Sequence, residues 1–254
     1  MKNRYKICIF DKKAVSLHRE LMWVYRRVSE TPTLKRKNEY ETTKRYMMQR
    51  DFKPTFQLIL RSIFAGICIG IAGWGFLANK TIGIFLFIFG LATVVSYQAK
   101  LFTGMAGYVG SKQDLLELIL YIFPGNLVGC LLIALMTKFT PLPIHEAATA
   151  VLQSRLSTGP LGCGVLAIGC GILMTSAVNF AKKGKDFGYW APLLFAVPLF
   201  IHCGFPHCIA DAFYYLTAFD FILENPSVLV CYAASVLGNF IGCNIPRIFV
   251  WENQ

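Results

Sequence analysis

Long apolar runs alternate with short polar stretches over most of the chain after residue 55. Six of the runs approach the ~20 residues that a helix needs to cross about 30 Å of hydrocarbon. They predict transmembrane helices at residues 56–78, 81–99, 115–137, 156–181, 187–219 and 226–250. The pattern therefore predicts an all-α integral membrane protein, with a six-helix transmembrane domain over residues 56–254.

Two of the predicted spans contain interruptions. The fifth is too long for one straight helix and holds Pro198, Gly204 and Pro206, which favour a broken helix. The second runs into the string Lys-Leu-Phe-Thr-Gly at residues 100–104, after which residues 106–110 are still fairly apolar. We expect both helices to break before they have finished crossing the membrane.

Charge is concentrated at the N-terminus. Of the 25 Lys and Arg residues, 15 precede position 56, together with six of the 14 acidic residues. Residues 1–55 are thus predicted to be a basic extension, and residues 15–28 either an amphipathic surface helix or a disordered segment. With six spans, only Lys80, Lys138 and Arg155 lie on the opposite side of the membrane. The Lys/Arg bias therefore places both termini in the cytoplasm, in a multi-pass protein of the cell (inner or plasma) membrane.

Composition excludes several classes of protein. The chain is 55% hydrophobic and only 15% charged, against about 25% charged in soluble domains. The net charge of +11 comes mainly from the N-terminal extension, so no nucleic-acid partner is indicated. The nine cysteines lack paired spacing and suit a packing role. No nucleotide-binding glycine loop or nucleophilic set is visible, so neither an enzyme nor a cofactor is predicted.

A short string occurs twice, as GNLVGC from residue 125 and GNFIGC from residue 238. Small residues four apart let helices approach closely, and an Asn can hydrogen-bond across the contact. Because each half has an odd number of spans, the second half is inverted relative to the first. The two interrupted helices then occupy matching positions in the two halves. Such paired interruptions indicate a transport site near the midplane of the membrane. The predicted helix-packing residues are Gly125, Asn126, Gly129, Gly238, Asn239 and Gly242.

Ionisable residues inside a membrane span are energetically costly, so they are interpreted first as functional residues. His207 follows the break in the fifth span, so its N–H is predicted to point at a permeating anion. Asp211, one helical turn later, would orient the ring and favour its charged form. The alternative for His207 is a buried ring bonded to a backbone carbonyl, which is the favoured interpretation for His202.

Two further features of the sequence each have two interpretations. Cys203, His207 and Asp211 are spaced by four, as metal ligands on one helical face would be, but the intervening Gly and Pro disfavour that geometry. No metal site is predicted. Arg155, on the outer side, either draws anions into a vestibule or extends to lipid headgroups.

Four motifs in order resemble the formate/nitrite transporter family. The resemblance rests on the Leu-Phe-Thr string from residue 101, the GNLVG string, the Gly-Phe-Pro-His-Cys-Ile-Ala-Asp string from residue 204 and the GNFIG string. It implies an aquaporin-like six-helix protomer, a homopentamer, and a separate pore through each protomer.

The resemblance also assigns roles to single residues. It implies a cytoplasmic constriction, a central pore histidine, a cation that attracts anions, and an outer constriction. Leu101, Phe102 and Thr103 would form the cytoplasmic constriction, and His207 would be the central pore histidine. Arg155 would attract anions, and Phe205 would lie at the outer constriction.

The chain departs from the family pattern at three positions. Gly171 and Asp211 stand where the family has Asn, and Pro206 stands where Glu is common. The Asn expected near position 171 would be a hydrogen-bonding partner of the pore histidine. These departures bear on the substrate and on any coupling to protons.

The sequence thus predicts a channel in the lipid bilayer for small monovalent weak-acid anions: formate, nitrite, hydrosulfide or a short carboxylate. Passage is passive or proton-linked through His207. A bare anion meets a large desolvation cost in an apolar constriction, which protonation mostly removes. The alternatives are a neutral-solute channel of the same topology and a membrane metal or redox protein.

Overall fold

The computed structural model describes residues 34–184 and 187–249, with the backbone alone for 34–54. The chain divides after Phe56 into two units, and the features below belong to the second, Gln57–Gln254. The surface helix predicted over residues 15–28 lies outside the described residues.

The described elements are all helical. In chain order they are α1 (Leu34–Ala78), α2 (Lys80–Ser96), α3 (Phe102–Met105), α4 (Lys112–Glu117), α5 (Phe123–Met136), α6 (Ile144–Lys183), α7 (Phe187–His202), α8 (Cys208–Thr217), α9 (Phe219–Glu224) and α10 (Val228–Phe249). A π-helical turn, Leu118–Ile122, joins α4 to α5, and 3₁₀ turns follow α3 and α5.

Four helical segments of the described residues are long and apolar enough to cross a membrane. They are Thr55–Ala78, Lys112–Phe139, Ile144–Lys183 and Val228–Phe249. The helices α2 and α7 are apolar but shorter. After each of these two, the chain leaves the helical conformation, between Ser96 and Phe102 and between His202 and Cys208.

The fourth predicted span starts close to a kink inside a longer helix. We expected it to start at residue 156, but α6 begins at Ile144 and kinks at Gly159, whose φ is +73°, just before Pro160. The polar residues of the first turns lower the hydropathy there, so the apolar pattern misses them. Arg155 therefore lies within a helix, one turn before the kink, rather than ahead of one.

Glycines bring the long helices into backbone contact. A Cβ at Gly129 would overlap the carbonyl of Ile63 in α1, and a Cβ at Gly242 would overlap the carbonyl of Ile168 in α6. The other two predicted packing glycines behave alike, with Gly125 against Ser62 and Gly238 against the backbone of α6. The two GNxxG strings thus pack α5 on α1 and α10 on α6.

Candidate functional site

Two buried asparagines hold the places where the chain resumes a helix. The Asn126 Oδ1 accepts a hydrogen bond from the N–H of Phe102, the first residue of α3, at 2.9 Å. Its Nδ2 donates to the carbonyls of Ser62 at 2.7 Å and Lys100 at 2.8 Å. One side chain therefore ties α1, α5 and the break after α2 together.

Asn239 makes the same three bonds at the other break. Its Oδ1 accepts from the N–H of Cys208, the first residue of α8, at 2.7 Å. Its Nδ2 donates to the carbonyls of Ala167 and Pro206, both at 2.9 Å. Since both asparagines are fully buried, losing either would leave backbone groups without partners.

The cysteines that end the two repeated strings link the same elements. The Cys130 thiol donates to the carbonyl of Ile209 at 3.4 Å, and the Cys243 thiol donates to the carbonyl of Thr103 at 3.2 Å. Ile209 is the second residue of α8 and Thr103 the second residue of α3. Each cysteine therefore reaches the short helix that the other half of the chain supplies.

His207 is the N-cap residue of α8 and is 2% exposed. Its Nδ1 accepts from the N–H of Ala210 at 3.1 Å, and its Nε2 lies 3.0 Å from the Oγ1 of Thr103. Because a backbone N–H can only donate, Nδ1 is the unprotonated nitrogen. The ring proton is then on Nε2 and points at the Thr103 hydroxyl, so the capping bond selects a neutral tautomer.

The predicted cytoplasmic-constriction residues meet at this point. Leu101, Phe102 and Thr103 are all nearly fully buried, and the Phe102 ring packs edge-on against that of Phe123 with centroids 5.2 Å apart. The hydroxyl of Thr103 faces His207. Two motifs that are 104 positions apart in the chain therefore share one contact.

Two aromatic residues beside the histidine were missed by the sequence analysis. The Phe200 ring lies 5.7 Å from the His207 ring, and Phe87 packs edge-on against Phe200 at 5.8 Å. The predicted outer-constriction residue, Phe205, packs over Gly169, where an added Cβ would come within 2.6 Å of its ring, and it lines the same cavity as Phe200. Among 21 phenylalanines, no local pattern distinguishes these positions.

Asp211 does not partner His207. Its carboxylate accepts two hydrogen bonds from Arg155, from Nε at 2.9 Å and from Nη2 at 3.0 Å. The predicted role in orienting the imidazole is replaced by this ion pair. The side chain of Asp211 points along the helix face toward α6, where a buried guanidinium offers a bidentate match that an imidazole cannot.

The same contacts change the environment of Arg155. Its Nη1 also donates to the carbonyl of Gly204 at 3.0 Å, in the break before α8, where the φ of Gly204 is +68°. The Arg155 side chain is only 13% exposed. Far from being a lone cation at the surface, it is neutralised by Asp211 and clamps α6 to the break and to α8.

A cavity of about 170 Å³ opens beside this ion pair, large enough for several waters at ~30 Å³ each. His207, both members of the pair and Lys80 line it. The full lining is Phe76, Lys80, Ala150, Val151, Ser154, Arg155, Phe200, Ile201, Gly204, Phe205, His207, Ala210, Asp211 and Tyr214.

The remaining candidates lie elsewhere or have other partners. His202 and Cys203 are exposed at the end of α7, and within residues 55–184 and 187–249 no three His, Cys, Asp or Glu side chains form a group that could hold a metal. A side chain at Gly171 would overlap the carbonyl of Asn239. The close approach of α10 therefore requires glycine there, and His207 finds its partners in Thr103 and Ala210 instead.

A hydrogen-bonded pair of His145 and Asp220 lies away from the cavity. The Nε2 of His145, in the first turn of α6, is 2.7 Å from the Oδ1 of Asp220 at the start of α9, and both side chains are about half exposed or more. The hydrogen bond from His145 lowers the pKa of Asp220 below its ordinary value. This pair joins two elements at the surface.

The sequence is similar to known membrane transporters. A family model described as formate/nitrite transporter matches residues 37–251. A formate-nitrite transporter of Plasmodium malariae is 26% identical over 218 residues, which cover 72% of this chain and 69% of that protein. One from Plasmodium falciparum (isolate 3D7) is 24% identical over 240 residues, or 77% of each chain.

Two solved structures have the same fold. One, a pentameric formate channel with formate bound, has a TM-score of 0.66 and 23% identity, and the match covers 78% of this chain and 96% of that one. The other, an ion channel of the FNT family, has a TM-score of 0.69 and 17% identity, with 77% and 89% covered. The fold is therefore that of these channels.

Proposed function

The chain belongs to the formate/nitrite transporter family, and from that premise we propose that it is a channel for small monovalent anions of weak acids, such as formate, nitrite, hydrosulfide or a short carboxylate. It is a membrane protein and not an enzyme. The observation that carries the proposal is the neutral, buried His207, which stands between the cavity and the Leu101–Thr103 string.

The proposed protomer consists of two inverted repeats with broken second and fifth helices. Support comes from the matched contacts of Asn126 and Asn239, which bond the same three kinds of backbone group at the two breaks. The reciprocal thiol bonds of Cys130 and Cys243 support the same arrangement. In it, the two short helices α3 and α8 meet near the midplane, where transporters of this architecture hold their substrate.

The proposed orientation places both termini in the cytoplasm. Basic residues are concentrated before position 56, and Lys80 and Arg155, which the sequence assigns to the outer side, line one cavity. That cavity is then the outer vestibule, and Leu101 and Phe102 form the cytoplasmic constriction. The pentameric assembly of the formate channel with the same fold supports a homopentamer with one pore in each protomer.

His207 acts in this proposal as a hydrogen-bond donor. Its Nε2–H faces the Thr103 hydroxyl and can donate a hydrogen bond to a passing solute instead. Nδ1 meanwhile continues to accept from the N–H of Ala210. Protonating Nδ1 would break that cap, and surrendering the Nε2 proton would leave an unfavourable anionic ring. The proton that neutralises the anion therefore comes from water in the cavity and crosses with it, while His207 relays no proton of its own.

The aromatic pair of Phe87 and Phe200 completes the barrier on the outer side of His207. A bare anion loses its hydration at such an apolar constriction at a cost of several kcal/mol or more. The neutral acid avoids most of that cost, because it carries no charge and needs only one hydrogen bond. Uptake then depends both on the rate at which anions enter the cavity and on the pH at which they are protonated there.

Reconstitution tests the proposal. Purified protein in liposomes is assayed for uptake of radiolabelled formate, nitrite and acetate, and for hydrosulfide flux, at about pH 5.5 and pH 7.5. We expect uptake above that of empty liposomes for at least one anion, and faster uptake at the lower pH at equal total concentration. Uptake of none of them would contradict the proposed function.

A neutral-solute channel is the second candidate, and the Arg155–Asp211 pair favours it, because the guanidinium charge in the cavity is compensated. The same liposomes distinguish the two candidates when glycerol, ammonia and water permeation are measured beside formate. Neutral-solute permeation without weak-acid uptake would support this alternative.

A further inference from the structure

We propose that Lys80 supplies the uncompensated positive charge that recruits anions into the cavity, a role that the resemblance had assigned to Arg155. The inference rests on the proposed function. It starts from the wall of the cavity, where Lys80 lies with Arg155, Asp211 and His207.

The charges on that wall do not cancel. Arg155 is bound to Asp211 through two hydrogen bonds, so this pair contributes no net charge. The ring of His207 is neutral in its capping tautomer. No carboxylate of the described residues forms an ion pair with Lys80. The formal charge of the lining is therefore +1, and it resides on Lys80.

The position of Lys80 is not explained by the stability of its helix. Lys80 is the first residue of α2, directly after the N-cap residue Asn79, whose side chain accepts from the N–H groups of Thr81 and Ile82. A cation at a helix N-terminus faces the positive end of the helix dipole, which is unfavourable. A neutral residue would suit the helix better, so the helix itself does not account for the lysine.

Lys80 is also exposed to solvent, which determines how it acts. An exposed charge attracts ions through a field that salt screens within about 10 Å at 0.1 M. It raises the local concentration of anions and their rate of entry, without forming a tight site. The expected signature is therefore a salt-dependent KM for anions that enter from outside.

The test uses formate entry into intact cells that express the full chain and lack their own formate channels. Wild type, Lys80→Gln, Lys80→Arg and Lys138→Gln are compared at about 10 mM and about 300 mM ionic strength. Lys138 is an exposed lysine that the sequence assigns to the same side but that does not line the cavity. Lys138→Gln therefore matches Lys80→Gln in charge change.

We expect Lys80→Gln to raise the KM for formate about threefold or more at low ionic strength, with the maximal rate unchanged. The difference should close at high ionic strength, and Lys80→Arg and Lys138→Gln should resemble wild type. An unchanged KM in Lys80→Gln, or equal rises in both glutamine variants, would overturn the role of Lys80. If wild type itself admits no formate, nitrite, hydrosulfide or acetate, the proposed function fails, and this inference fails with it.

Discussion

The carboxylate of Asp211 and the guanidinium of Arg155, 56 positions apart in the chain, form a bidentate ion pair at the wall of the cavity beside His207. The pair joins the first half of α6 to α8. A third hydrogen bond, from Arg155 to the carbonyl of Gly204, extends the connection to the break that precedes His207. Two charged residues therefore act together to hold the segment that positions the histidine.

Removing one member of this pair should be strongly destabilising. Breaking a buried ion pair leaves an uncompensated charge and typically costs about 3–5 kcal/mol. We expect Asp211→Ala to lower the unfolding temperature in detergent sharply. The double variant Asp211→Asn with Arg155→Gln should recover much of the loss, because no buried charge remains. Asp220→Ala, at an exposed pair, is the control and should have little effect. Equal stability of Asp211→Ala and wild type would show that the pair is dispensable.

The two asparagines should be equally important. Asn126→Ala and Asn239→Ala each remove three hydrogen bonds to buried backbone groups, at about 1–3 kcal/mol for each unsatisfied group. We expect both variants to lose most of the folded, assembled protein in size-exclusion chromatography. Asn225→Ala, which loses one 3.3 Å bond to the carbonyl of Phe221, should remain assembled. A stable Asn239→Ala protein would contradict the assigned role.

Alanine at the repeated glycines tests the helix contacts with the smallest available change. Gly129→Ala and Gly242→Ala would press a methyl group into a carbonyl of the neighbouring helix, and overpacking of this kind costs about 1–3 kcal/mol or more. Gly164→Ala is the matched control, because its Cβ would have ordinary contacts of 3.5 Å or longer. We expect thermal denaturation to show losses for the first two variants only. Similar losses in all three would indicate a general intolerance of the helices to substitution.

Substituting the pore histidine distinguishes hydrogen-bond donation from proton relay. Asn is a good N-cap residue that also has a donor, so His207→Asn should fold. We expect formate uptake within about tenfold of wild type, with the same dependence on pH, because the solute takes its proton from water and not from the ring. A pH dependence that vanishes in His207→Asn would instead establish proton linkage through the ring. His202→Asn, at an exposed position, should match wild type throughout.

The pair of His145 and Asp220 should stabilise the protein only while the carboxylate is charged. The hydrogen bond from His145 lowers the pKa of Asp220, so the folded pKa lies below the unfolded value of about 3.9. The contribution is therefore complete above about pH 5 and is lost as the pH falls through the folded pKa. Thermal denaturation of wild type and Asp220→Asn should differ by about 1–2 °C at pH 6, as a surface pair does, and converge below pH 3. A constant difference across this range would show that the carboxylate charge is irrelevant.

Much of the fold could be predicted from local pattern. Hydropathy places the long apolar helices, because a run of about 20 apolar residues has few other uses. Gly204 and Pro206 indicate the interruption after α7, and Lys100 indicates the one after α2. The repeated GNxxG strings indicate which helices approach closely, with an Asn bonded across the contact. The start of α6 could not be found in this way, since its first turns are polar and the kink at Gly159 resembles a helix start.

The sequence by itself determined the long apolar helices and the non-helical stretch that ends at His207. Only the tertiary structure decided the partners of the polar side chains: Asp211 binds Arg155 and not His207, and Lys80 shares their cavity. It also brought Thr103 to the imidazole and Phe87 to Phe200. The physical reason is range. Hydropathy and helical periodicity report the environment of each residue over a few turns, whereas electrostatic pairing depends on distances between helices that are far apart in the chain.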